Sequence, residues 1–149
     1  MGAAAGAAED LSGYWLAMSR ENVELVRRAY EALNAGDIDG LVTLCHKDFN
    51  LDMSDRIFNP ERYEGHEGIR RFYADVHDPW ERYVWEPEEL REKGGVVVAL
   101  VRARGWGRGS GLEVDRKVAM IWTVHDGKAS ELRFYRDRDV ALEAAGLRK

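Results

Sequence analysis

The stretch Y-E-G-H-E-G-I-R-R-F-Y, from Tyr63 to Tyr73, decides the fold of this 149-residue chain. A strand is predicted to close at its first residues, because Gly65 interrupts the extended pattern. Beyond the glycine, Ile69, Phe72 and Val76 recur at helical spacing, which predicts a helix with one apolar face. This strand-to-helix transition separates a chain opening that is predicted to be helical from a later part that is predicted to be mostly strands.

The composition predicts one compact domain without a nucleic-acid partner. Apolar residues make up 45% of the chain, which is enough for a substantial core at this length. The formal net charge is -5, whereas binding to a phosphate backbone needs a dominant basic surface. The R-A-R-G-W-G-R-G-S-G run is too short and isolated to change this expectation.

The apolar pattern and the single cysteine predict a cytoplasmic protein. No run of about 18 apolar residues occurs, so no membrane-spanning helix and no membrane partner are expected. Cys45 has no partner for an internal disulfide and is expected to be a packed thiol.

Residues 1–17 are predicted to be a flexible N-terminal extension of a single domain at 18–149. They are small and low in complexity, and the pattern resets at Met18. The favoured interpretation is an upstream start that contributes nothing to the fold. The alternative is that Tyr14 and Trp15 dock on the domain or on a partner.

Local patterns predict the elements before the central stretch. Ser19 is predicted to cap a first helix that ends at Gly36. Asp37 is predicted to cap a second, shorter helix that includes Cys45. Alternating residues from Phe49 to Met53 predict a half-buried strand.

Three long strands are predicted to follow as an antiparallel meander. They cover Val96–Val101 and its continuation, Glu113–Val124 and Lys128–Arg136, after a strand at Tyr83–Arg91 that is interrupted near Pro87. Val96–Val101 is apolar throughout, so both of its faces are expected to be buried. Helices can cover one face, and another sheet or a second subunit is expected on the other, which favours a homodimer. Asp139 is predicted to cap a last helix.

This order of elements resembles the fold of nuclear transport factor 2, ketosteroid isomerase and the SnoaL-like polyketide cyclases. Three motifs carry the resemblance: Ala29–Leu41 (A-Y-E-A-L-N-A-G-D-I-D-G-L), Tyr63–Tyr73, and Trp122–Asp137 (W-T-V-H-D-G-K-A-S-E-L-R-F-Y-R-D). The resemblance covers Met18 to Leu147. It implies an α+β, NTF2-like cone, in which a curved, mostly antiparallel sheet wraps around helices and an internal pocket. It also implies a homodimer formed through the outer sheet.

The resemblance implies acid–base chemistry, but its expected acids are missing. Counting from the turn at Gly36 puts the carboxylate base of the ketosteroid isomerase branch near Met53 and its tyrosine near Ala29. Asp52 and Tyr30 each lie one residue away, and one step along a strand reverses the face. With Arg102, they are the candidate catalytic residues.

Arg102 begins a row of polar residues that has two interpretations. Arg102, Arg104 and Trp106 share one strand face, with Glu113 and Asp115 across the hairpin. The resemblance to the epoxide hydrolases of this fold implies that an arginine and a carboxylate in a pocket orient water or polarise an epoxide or carbonyl. The alternative, which the pattern favours, is a set of cross-strand ion pairs on a solvated sheet.

The predicted ligand site is an apolar pocket without metal or cofactor. Its predicted lining is Trp106, Val118, Met120, Trp122 and Phe134, with Trp80 and Trp85 as further candidates. The four histidines lack metal-ligand spacing, and the glycines form no dinucleotide or phosphate motif.

The predicted function is binding of a small apolar molecule, such as a polyketide-, terpenoid- or steroid-like compound. Isomerisation, cyclisation, dehydration or hydration by acid–base catalysis is the first hypothesis. A non-catalytic ligand-binding or dimeric interaction module is the alternative, and sites rather than folds decide between them.

Deleting residues 1–17 is expected to leave the free energy of unfolding within about 0.5 kcal/mol of the full chain, because the extension is predicted to contribute no packing. Urea denaturation of both proteins measures this difference. A larger loss would favour docking of Tyr14 and Trp15.

Overall fold

The computed structural model describes the backbone of residues 2–57 and 60–147, and the side chains of residues 18–57 and 60–147. The helices in this part of the chain are α1 (Gly2–Ala35), α2 (Ile38–Thr43), α3 (Gly65–His77) and α4 (Arg138–Ala144). The strands are β1 (Cys45–Asp52), β2 (Arg62–Glu64), β3 (Trp80–Lys93), β4 (Val96–Gly107), β5 (Glu113–His125) and β6 (Lys128–Tyr135).

The strands form one curved, unclosed sheet in the order β2-β1-β6-β5-β4-β3. Neighbouring strands are antiparallel, except that β1 and β6 run parallel. Helices α1 and α3 supply Tyr30 and Phe72 to the main core, which also contains the inward side chains of the sheet. The predicted α+β, NTF2-like architecture is confirmed.

Strand β4 is buried on both faces, as its sequence predicts. Its inward residues, Val97 and Val101 among them, belong to the main core. Its outward residues Val98 and Leu100 pack in a second core with Ala141 of α4. The expectation that a second sheet or subunit must cover this outer face is therefore wrong, since the last helix of the same chain folds back over it.

One arginine fastens α4 to the sheet. The Arg138 side chain donates to the carbonyl oxygens of Val118 and Val101, at 3.0 and 2.9 Å, and these residues are paired neighbours on β5 and β4. It also donates to the Glu88 carboxylate on β3 at 2.6 Å. A single side chain thus connects the helix with three adjacent strands.

Two predicted helix boundaries are wrong. Helix α1 begins at Gly2 rather than after a cap at Ser19, in keeping with the high helix propensity of the alanines near the start of the chain. Helix α2 ends at Thr43, because Cys45 already pairs with Ala129 of β6. The domain boundary at residue 18 stays a prediction, and docking by Tyr14 and Trp15 concerns side chains outside the described part.

The predicted hairpin and strand interruption are confirmed, whereas the predicted cap of the last helix is wrong. Asp126 and Gly127 have φ of 50° and 76°, as the predicted tight hairpin requires. The register of β3 against β4 shifts between Pro87 and Glu89, at the predicted interruption. The cap of α4 is Asp137 rather than the predicted Asp139, because the Asp137 carboxylate accepts from the Asp139 and Val140 amides.

Ala141→Glu is expected to lower the free energy of unfolding by at least about 2 kcal/mol, because it forces a longer, charged side chain into the second core. Ala144→Glu makes the same change on the exposed side of α4 and is the matched control. Urea denaturation compares the two variants. Equal stabilities would contradict the role assigned to α4 as the cover of β4.

Candidate functional site

One pocket has a mostly apolar lining that includes Trp80, Tyr83, Trp85 and Val118, and it is called the main pocket below. It opens at one end of the cone, where α3 ends and β3 and β5 begin. Its volume is about 350 Å³, which falls within the range of small-molecule sites, about 300–1,000 Å³. Ile57 and Leu112 lie on its rim and are 54% and 58% exposed, so the entrance presents apolar side chains beside charged ones.

A row of aromatic rings forms one wall of the pocket. Trp80 lies against Tyr83 with ring centroids 5.6 Å apart, and Tyr83 lies against Trp85 at 4.6 Å. Gly105 on β4 makes room for this row, since a Cβ there would lie 2.7 Å from a carbon of the Tyr83 ring. The pocket can therefore hold a flat apolar molecule against an aromatic surface.

A carboxylate, a phenol and a guanidinium form a hydrogen-bonded chain at the mouth. The Tyr63 hydroxyl donates to Asp75 Oδ2 at 2.8 Å and accepts from Arg56 Nη2 at 3.2 Å. Burial and the bond to Asp75 raise the pKa of Tyr63, so this phenol stays protonated. Among the described residues, Asp75 is the one carboxylate that lines the main pocket.

Three other polar groups face the same pocket. Burial raises the pKa of Tyr83, against the opposing charges of Arg116 and Arg56, so its hydroxyl stays a neutral donor. Arg116 and Arg136 lie at the mouth. Arg136 also forms an ion pair with Asp55, in which Asp55 Oδ1 lies 3.6 Å from Arg136 Nε.

The predicted catalytic residue Tyr30 lies in the core and does not line the main pocket. Its hydroxyl accepts from Trp122 Nε1 and donates to Met120 Sδ, each at 3.0 Å. Burial raises the pKa of Tyr30, and the Trp122 bond opposes this only in part. The three side chains thus link α1 to β5 within the core.

Asp52 lies on the opposite side of β1 from the core residue Leu51. Its Oδ1 accepts from the Ser54 amide and hydroxyl, and its Oδ2 lies 3.6 and 3.5 Å from Nε of Arg62 and Arg133. Burial acts to raise the pKa of Asp52, but the Ser54 bonds and the two arginines outweigh it and lower the pKa.

Arg102 lies on the outer face of the sheet. It makes a two-pronged bond to Asp115, at 2.9 and 2.6 Å, while Arg104 pairs with Glu86 at 3.1 Å. These are cross-strand ion pairs on the sheet surface, as in the alternative interpretation that the sequence pattern favours. The structure therefore brings none of Asp52, Tyr30 and Arg102 together, and their catalytic role stays a prediction.

The five predicted pocket residues separate into three groups. Val118 and Phe134 line the main pocket. Met120 and Trp122 lie deeper in the core, and Trp122 borders a second cavity of about 30 Å³. Trp106 lies on the outer face, with the Arg82 guanidinium 5.0 Å from its ring centroid. Their role as a ligand site stays a prediction.

Two polar pocket residues that were not predicted, Arg116 and Asp75, have recognisable signals in the sequence. Arg116 continues the inward row of Val118 and Met120 at the strand period of two, so a charge was placed on the pocket face. Asp75 adjoins the apolar face of α3, one position before Val76. Nothing in the local pattern of Tyr63 predicted its bond to Asp75, because the two meet through packing of β2 on α3.

The described side chains include no group of three or more histidine, cysteine, aspartate or glutamate residues that could hold a metal ion. None of the helices in the described part combines the length and apolar character needed to cross a bilayer.

The SnoaL-like domain family matches residues 26–132. The chain belongs to this SnoaL-like family. A search of the curated proteins finds no match.

Solved structures share the SnoaL-like fold over most of this chain. TerC, crystallised with polyporic acid, is 24% identical with a TM-score of 0.71, over 84% of this chain and 97% of TerC. Bal32a, from a soil-derived mobile gene cassette, is 19% identical with a TM-score of 0.73, over 85% of this chain and 97% of its own. An NTF2-like protein from Burkholderia xenovorans LB400 is 22% identical with a TM-score of 0.70, over 85% and 96%. At these identities the likeness shows the fold.

Tyr30→Phe is expected to destabilise this SnoaL-like domain by about 1–3 kcal/mol at neutral pH, because it leaves the buried Trp122 N–H without its acceptor. Since folding raises the pKa of Tyr30, the native state loses stability above about pH 10, where the unfolded phenol ionises. The difference between wild type and variant should therefore narrow there.

Urea denaturation between neutral and alkaline pH measures both effects. Tyr73→Phe is the control, because the Tyr73 hydroxyl makes no hydrogen bond within the described residues. Equal stabilities of Tyr30→Phe and wild type would contradict the assignment.

Proposed function

We propose that this SnoaL-like protein binds a small, largely apolar molecule in the main pocket and acts on it by acid–base catalysis. Asp75 is the proposed base. The observation that carries the proposal is the Asp75 carboxylate at an aromatic pocket, held by the Tyr63 hydroxyl at 2.8 Å. That bond engages Oδ2 and leaves Oδ1 as the proton acceptor.

The chemistry suits a ligand with an acidic C–H next to a carbonyl. Asp75 Oδ1 takes the proton, and the C–H electron pair moves into the new carbon–carbon double bond as the carbonyl becomes an enolate. The Tyr83 hydroxyl is the proposed donor to the enolate oxygen. In a β,γ-unsaturated ligand the enolate is a dienolate, and return of the proton from Asp75 to the γ-carbon completes an isomerisation. In a β-hydroxy ligand the enolate electrons re-form the carbonyl and make the α,β double bond while the C–O bond breaks, and the proton leaves with the hydroxide as water, which completes a dehydration.

Polyketide-like and other small carbonyl compounds fit this proposal. TerC was crystallised with polyporic acid, and we carry over only the expectation that a pocket of this fold takes a small organic molecule. The homodimer and the cytoplasmic location stay predictions. Light scattering at micromolar concentration tests the dimer, and a clean monomer would contradict it.

The wild-type protein is expected to speed hydrogen–deuterium exchange at the α-carbons of 2-tetralone in D2O. Asp75→Asn should slow this exchange about 100-fold or more, because the proton acceptor is lost. Proton NMR measures the exchange rate without knowledge of the natural substrate. Asp48→Asn removes an exposed carboxylate on β1 and is the matched control.

The outcomes separate the two hypotheses. Exchange that survives in Asp75→Asn but not in Asp52→Asn would overturn the assignment of the base in favour of Asp52. Binding of 2-tetralone without exchange above the buffer rate would overturn catalysis and favour a non-catalytic ligand-binding module.

A further inference from the structure

The second cavity lies beyond the main pocket, farther from the entrance. Helix α3 ends at the entrance, and its residue Val76 lines the main pocket, whereas Ile69, two turns earlier, lines the second cavity. On β6, Phe134 lines the main pocket and Leu132, the neighbouring residue on the same face, lines the second cavity. The two cavities therefore follow one another along the same helix and strand.

The ring of Phe72 lies between these two cavities. Phe72 is buried and lines the second cavity. Its ring centroid lies 6.2 Å from that of Trp85 and 5.9 Å from the guanidinium carbon of Arg56, and both of these residues line the main pocket. The ring of Tyr63, whose hydroxyl bonds to Asp75, packs edge-to-face against Phe72 at 5.6 Å. Aromatic neighbours on two sides thus hold the Phe72 ring as a partition.

The second cavity is small and apolar. Aliphatic, aromatic and sulfur-containing side chains line it, with Leu33, Cys45 and Met53 among them. Burial raises the pKa of the Cys45 thiol to about 12, in keeping with surroundings that do not stabilise charge. The volume of about 30 Å³ has room for roughly two groups the size of a water molecule, and apolar cavities stay dry. The occupant that suits this space is the end of an alkyl chain.

We propose that Phe72 is a specificity-determining residue, whose ring ends the main pocket and keeps a bound ligand out of the second cavity. The ligands that this site selects are then compact carbonyl compounds, without an alkyl tail on the end that lies away from the entrance. Loss of the ring would join the two cavities and admit such a tail. This inference rests on the proposed function, because it takes the main pocket to be the ligand site.

The partition is tested by NMR titration with a series of straight-chain 2-alkanones, which carry a carbonyl at one end and an alkyl tail of increasing length. In wild type the affinity should rise with tail length and level off once the tail reaches Phe72. In Phe72→Ala it should continue to rise, by about fourfold for each further methylene that becomes buried. Phe72→Leu, a milder change to the core, should give a shorter extension of the same kind.

Ile69→Ala is the matched control. It removes a buried side chain of the second cavity from the same helix but leaves the Phe72 ring in place. The affinity of this variant should therefore level off at the same tail length as in wild type. An equal extension in Ile69→Ala and Phe72→Ala would overturn the inference, because loosening of the core would then suffice to admit the tail.

The position of the tail is read from the methyl group of Met53, a buried residue that lines the second cavity. Its carbon–proton NMR resonance is identified by its loss in Met53→Leu. Addition of the longest ketone should shift this resonance in Phe72→Ala and leave it unshifted in wild type. A comparable shift in wild type would overturn the inference, because the ring would then not close the pocket.

The inference can fail separately from the proposed chemistry. Levelling-off at the same tail length in wild type, Phe72→Leu and Phe72→Ala, together with Asp75-dependent exchange of 2-tetralone, would overturn the role of Phe72 alone. A length preference that depends on Phe72, without any exchange, would overturn the catalytic proposal and support the partition. Absence of binding of every ketone to wild type and to both Phe72 variants would overturn the inference, whatever the exchange result.

Discussion

The two-sided burial of β4 is the constraint on which the rest of the molecule depends. Its alternate side chains enter two separate cores, so every residue beyond Val101 also has its face fixed. Ala103 and Gly105 consequently border the pocket side, while Arg102 and Arg104 are held on the outside. Because β5 pairs with β4 along its length, the same constraint directs Arg116 inward and Asp115 outward.

Features that depend on local periodicity could be predicted from the sequence. The strands of the meander, the break at Pro87 and the hairpin at Asp126 follow from patterns a few residues long. The sequence also indicated that Asp52 is a doubtful substitute for the expected base, because one step along β1 moves a side chain to the opposite face. Boundaries were harder: Cys45 continues an apolar helical pattern, and only its pairing with Ala129, far along the chain, makes it a strand residue.

The site could be predicted only in part, because it is made by contacts between distant elements. Val118 and Phe134 were found from strand alternation. The bond between Tyr63 and Asp75 depends on how α3 packs against β2, and the outer cover of β4 depends on the path of the C-terminus. The alternation of β4 does not specify which element covers its outer face, so the cover was expected from another sheet or a second subunit rather than from α4. The spacing in α3 likewise does not specify that Asp75 bonds to Tyr63.

The bonds of Arg138 also bear on the shape of the pocket, because they hold two strands of its wall together. Its guanidinium spans the carbonyls of Val101 and Val118, so it ties β4 to β5 at a residue pair that includes the pocket residue Val118. The rim, by contrast, is formed by Ile57 and Leu112, which lie outside the strands and are mostly exposed. Backbone pairing and the Arg138 bonds thus hold the wall that contains Val118, whereas no strand pairing holds the two rim residues, so we expect differences in ligand length to be met at the entrance.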